Sequence, residues 1–163
     1  MIVKDSMVVI HLAKMAVLEK CCRYFGEVVV PEKVYEEIMF CRGKNVEVNV
    51  IDELVEKKKI VVKKVLNDNL LKMAYQFNIQ RGEAEAVALY WQEEADYFAS
   101  DDSNVRKKKV LLELNLIGTP VILLKLFRDK KITKNEFLIS VGVLKKVGWF
   151  SNAVIDKLLM EVK

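Results

Sequence analysis

Histidine occurs once in this chain, at position 11, and cysteine three times, at positions 21, 22 and 41. An odd set of thiols without a Cys-x-x-Cys pair, beside one imidazole, is not the ligand set of a structural zinc, so the cysteines read as buried, reduced thiols. The same scarcity argues against nucleophilic catalysis. Cys21 and Cys22 have one histidine in the whole chain to activate them, and Ser6 lacks the context of a nucleophile elbow. His11 lies in an amphipathic stretch and reads as a core or groove residue rather than a ligand. There is no glycine-rich phosphate loop, which argues against nucleotide triphosphate binding. The longest apolar run, Ala86 to Trp91, is too short to span a bilayer, and the N-terminus lacks the basic-then-apolar order of a secretory signal. A cytoplasmic protein with no membrane partner is expected.

What is present is a hydrophobic share of 52% and a charged share of 31% over 163 residues, the composition of a compact domain with a sizeable core. No internal repeat or low-complexity linker interrupts it. The net charge is only +4, but basic residues come in runs, at Lys57-Lys58-Lys59, Lys63-Lys64, Arg106-Lys107-Lys108-Lys109, Lys130-Lys131 and Lys145-Lys146. Such runs usually form solvated helix faces, and they also suit a polyanionic partner.

Short β-branched or apolar runs at Met1 to Lys4, Val28 to Val30, Ile60 to Val62, Ala95 to Ala99 and Asn115 to Ile117 alternate with helical patterns. Helices are predicted from Ser6 to about Tyr24, from Pro31 to Arg42, within Val46 to Lys58, from Leu70 to Phe77, from Glu83 to Trp91, after Asp102, and from Val121 to Arg128 with Thr119 as its cap. Two more follow, broken at Gly148-Trp149-Phe150, with Ser151 capping the last. This alternation implies βαβ crossovers and an α/β fold, a three-layer α/β/α sandwich on a parallel sheet of about five strands, with extra C-terminal helices. Trp149 and Phe150 are expected to pack internally; an interface, and with it a homodimer, is the other arrangement open to them.

Carboxylates recur where such a sheet gathers ligands. Asp5 follows the first strand and the pair Asp101 and Asp102 follows the fourth, at the C-terminal edge where open α/β sheets bind. Glu37 lies on the flank of its helix's apolar stripe, whereas Glu36 turns away. Glu83 and Glu85 open an almost wholly apolar, hence buried, helix; helix capping alone would also explain them. Clustered carboxylates repel, so their convergence calls for a cation, and an all-oxygen set suits Mg²⁺ or Mn²⁺. A metal of that kind activates water for phosphodiester hydrolysis, while basic flanks such as Arg106 and Lys107 hold neighbouring phosphates.

Asp5-Ser6, Val30-Pro31-x-x-Val34-x-x-Glu37, Gly82-Glu83-Ala84-Glu85-Ala86-Val87-Ala88-Leu89, Ser100-Asp101-Asp102-x-x-x-Arg106 and Leu116-Ile117-Gly118-Thr119 together resemble the ordered motifs of the PIN-domain family. The chain looks most like its small stand-alone prokaryotic, largely archaeal branch. The match covers residues 1–128, so one domain over 1–163 is expected, with 129–163 a C-terminal helical extension. The resemblance implies a metal-dependent endoribonuclease acting on RNA, single-stranded in the expected case. Among such relatives are toxins silenced by an antitoxin protein and RNA-processing enzymes. It further implies Asp5 as first acid, Glu37 as second, Glu83 as third with Glu85 its rival, and Asp101 or Asp102 as fourth, with Ser6 holding a ligand or water. The family's third acid is often Asp, and here it is Glu. An RNA-binding or protein-interaction module without catalysis is the alternative on the same fold. A phosphatase with Asp5 as nucleophile is disfavoured, because no second aspartate stands two positions on.

Overall fold

The computed structural model describes residues 1–79 and 81–163. Five short strands, β1 (Ile2–Lys4), β2 (Val28–Pro31), β3 (Ile60–Lys63), β4 (Tyr97–Ala99) and β5 (Leu116–Ile117), form one parallel sheet in the order β3-β2-β1-β4-β5. Because side chains alternate along a strand, Ile2, Val28, Val30, Ile60, Ala99 and Ile117 enter one apolar core and Val3, Val29 and Phe98 the other. The first core is covered by α1 (Ser6–Lys14), α2 (Leu18–Phe25), α3 (Glu32–Met39), α4 (Val46–Glu56), α8 (Thr119–Arg128), α9 (Lys134–Val147) and α10 (Asn152–Met160). The second is covered by α5 (Asp68–Gln76), α6 (Arg81–Gln92) and α7 (Ser103–Lys108). The predicted three-layer α/β/α arrangement is therefore the observed one. Among the described residues no helix is long and apolar enough to cross a membrane.

The winding direction reverses between β1 and β4, and the C-terminal ends of these neighbours form the switch-point crevice of a parallel sheet. Asp5 and Asp101 leave the strands there.

Three local expectations need correction. The helix expected from Ser6 to about Tyr24 is two helices, because Ala16 adopts the left-handed conformation (φ 57°) while Val17 N–H donates to Leu12 O at 3.1 Å and Ala16 N–H to Ala13 O at 2.9 Å. That is a Schellman stop without glycine, held by burying Leu12 and Val17. Thr119 does not cap α8: Gly118 does, and Thr119 is the first helical residue, fully buried. Of the aromatic pair, Phe150 packs on the core but Trp149 remains 58% exposed. Cys21 and Cys22 are buried and free, and Cys41 is only half-buried.

Candidate active site

Asp5 is held by the neighbouring strand and by the helix that follows it. Its N–H donates to Ala99 O of β4 at 3.0 Å, and its carboxylate accepts from Val8 N–H at 3.0 Å as the cap of α1. Burial pushes its pKa from 3.8 up to about 7; the Ser100 hydroxyl and Val8 N–H pull against that, and the charges of Asp101 and Glu83 add to it.

Glu83 projects from the first turn of α6, half-buried, and its pKa is raised by burial, then by Asp102 and Glu37. Glu37 comes from α3 and lies against Gly82, where an added Cβ would stand 2.9 Å from Oε2 and 3.2 Å from both Oε1 and Val34 Cγ2. The missing side chain at 82 is thus what lets this carboxylate lie against α6. Asp102 caps α7 by accepting from Val105 N–H at 2.8 Å, and its own N–H donates to Ser100 Oγ at 3.1 Å. Asp5, Glu37, Glu83 and Asp102, with Ser6, line one cavity of about 370 Å³.

The other predicted residues stand elsewhere. Asp101 turns inward: Oδ1 accepts from Thr119 N–H at 2.7 Å, and Oδ2 accepts from the Thr119 hydroxyl and lies 2.8 Å from His11 Nδ1. Glu85 is on another side of α6, accepting from Lys33 N–H at 3.3 Å, and its pKa is raised chiefly by burial. Arg106 donates from Nη2 to Asp101 O at 3.4 Å and lines a different cavity, and Lys107 is exposed.

A family model described as a PIN domain matches residues 1–163. The chain belongs to the PIN-domain family. No curated protein and no solved structure gives a match. PIN domains are a nuclease-type fold; such nucleases act on nucleic acids and generally use divalent metal ions.

In this PIN domain the donor chemistry fits such an ion. The cavity's acids are all oxygen donors, and among the described residues none of the four is held in an ion pair. Also among the described residues, no three His, Cys, Asp or Glu side chains stand together as a group that could hold a metal ion without rearrangement or water ligands. An open, oxygen-only arrangement with room for water suits a small hard ion such as Mg²⁺, which keeps several waters and takes few carboxylates.

Sequence reasoning missed four residues here. Arg81 is the one cation lining the PIN cavity among the described residues, and it adopts a left-handed backbone (φ 55°). Trp149 lines the same cavity. His11 and Thr119 anchor Asp101 from 90 and 18 residues away. The Gly118-Thr119 pair after the last strand was a signal for Thr119, read as a cap; nothing in the local pattern around His11 pairs it with Asp101.

Proposed function

We propose that this protein is a metal-dependent endoribonuclease that cleaves phosphodiester bonds of single-stranded RNA in the cavity at the C-terminal edge of β1 and β4. The supporting observation is four carboxylates from four separate elements lining one cavity, none of them held in an ion pair and with Arg81 the one cation in the lining among the described residues. Asp5, Glu83 and Asp102 would hold Mg²⁺ or Mn²⁺, which when bound supplies a Lewis acid and an activated water. Glu37, kept against Gly82, is positioned as a further acid facing the same space. Ser6 is set to hold a ligand or water, and Arg81 to neutralise an incoming phosphate. Asp101 works from behind, its bonds to Thr119 and His11 fixing the turn that presents Asp102.

The absence, among the described residues, of any three such side chains grouped to hold a metal ion favours a second reading, an RNA-binding PIN domain with little or no catalysis. Titration with Mn²⁺ separates the two. A nuclease gains thermal stability from the metal, cuts single-stranded RNA, and loses both properties in Asp5→Asn and in Asp102→Asn. RNA binding that weakens with salt, ignores metal and leads to no cleavage would establish the second reading instead. A role as a toxin predicts a small partner protein that abolishes cleavage when co-purified.

A further inference from the structure

Next to the acidic cavity is a second one of about 370 Å³, between α7, α8 and α10 and the edge strand β5. Leu116, Leu124, Phe150 and Leu158 line it, with Val121, which is 43% exposed. Arg106, Lys109 and Lys157 share the lining, and among the described residues no acid does. Among the same residues none of these three cations has a carboxylate partner within 4.0 Å.

Among the described residues the two linings have no residue in common, but residues of one touch residues of the other. Ser100 lines the apolar one, while its hydroxyl accepts from Asp102 N–H at 3.1 Å. Gly118 also lines it, and a Cβ there would come within 3.0 Å of Asp101 Oδ1. Trp149 faces the acidic cavity and Phe150 the apolar one, both edge-on to the His11 ring at 6.0 and 5.7 Å.

We propose that this second cavity is a nucleotide subsite, taking the base of the RNA residue next to the cleaved bond while Arg106, Lys109 and Lys157 take its phosphates. The proposal rests on the nuclease reading of the acidic cavity. A purely apolar ligand would leave three cations unpaired, and a bare anion would leave the apolar wall wet. A nucleotide answers both, since its base has an apolar π-face and its phosphates carry the charge. The volume is within the range of small-ligand pockets, roughly 300–1,000 Å³.

Adenosine 5′-monophosphate, inorganic phosphate and a glutamate-rich peptide are titrated separately into the metal-free protein and followed by NMR. The nucleotide is expected to shift the Val121 and Phe150 signals and to bind about tenfold more tightly than phosphate, a stacking contribution. Val121→Trp, which fills the cavity, and Lys157→Glu, at an exposed position that should not disturb folding, each weaken that binding. With single-stranded RNA and Mn²⁺, both raise KM about tenfold, leave kcat within about twofold, and blunt the preference for the flanking base.

Peptide binding here without nucleotide binding overturns the proposal, and so does cleavage with unchanged KM and base preference in both variants, which would leave the nuclease intact. Nucleotide bound in this cavity by a protein that cuts no RNA supports the subsite and removes the nuclease.

Discussion

Asp5 and Asp101 end adjacent strands, β1 and β4, and both are almost fully buried, yet their surroundings differ in kind. Asp101 is answered by the Thr119 N–H, the Thr119 hydroxyl and His11. Asp5 has Val8 N–H and Ser100, but burial and the charges of Asp101 and Glu83 outweigh them and lift its pKa to about 7. One carboxylate is buried where the fold supplies donors to match; the other is buried where its donors do not offset the water it has lost. The first arrangement stabilises the molecule, and the second costs stability that a bound cation would recover.

The largest effect that tests this contrast is on activity. Asp5→Asn is expected to lower Mn²⁺-dependent RNA cleavage by at least about a hundredfold, as loss of an inner metal ligand does. Cleavage that survives would remove Asp5 from the chemistry.

Next comes stability. Asp101→Ala strands three buried donors and is expected to cost about 3–5 kcal/mol. In a chain of this size that is roughly 10 °C of melting temperature in chelator, read by circular dichroism. A loss below about 3 °C would mean that Asp101 is not the anchor its contacts indicate.

Asp5→Asn should do the opposite in the metal-free protein. A carboxyl whose folded pKa is raised binds its proton more tightly folded than unfolded, so stability falls as pH rises from its ordinary 3.8 through about 7. The variant escapes this. At pH 8 it should be more stable than the parent by up to a few kcal/mol, with the difference vanishing toward pH 4 and reversing when Mn²⁺ is added. Equal stability across that range would show that Asp5 is not under electrostatic strain.

The smallest effects separate two glycines. Gly82→Ala brings a methyl against Glu37, whose free end can swing away, and 3.2 Å from the buried Val34 Cγ2, which has to give slightly; folding should change by about 1 kcal/mol or less, the gain in helix propensity offsetting part of these contacts. Cleavage should fall several-fold as Glu37 moves. Gly118→Ala meets Asp101, which is pinned on both oxygens, and should cost about 1–2 kcal/mol in thermal unfolding. If the two alanines behave alike, the two carboxylates are equally mobile and the contrast fails.

The amino-acid sequence by itself determined the strand and helix order, the parallel sheet and the presence of acids at its C-terminal edge, because these follow from local periodicity, β-branched runs and caps. Val28 to Val30 is legible as a buried strand, Pro31 as the entry to α3, and Ser151 as a cap, while for α7 the sequence offers Asp102 or Ser103 and the structure uses Asp102. Only the tertiary structure decided which acids share a cavity. Asp101 and Asp102 are neighbours in an extended turn, and Glu83 and Glu85 lie two apart on a helix, so within each pair the side chains diverge. Which one faces the site depends on what waits on the other side. For Asp101 that is His11 and Thr119, delivered by α1 and α8 from distant parts of the chain, and no local pattern encodes their arrival.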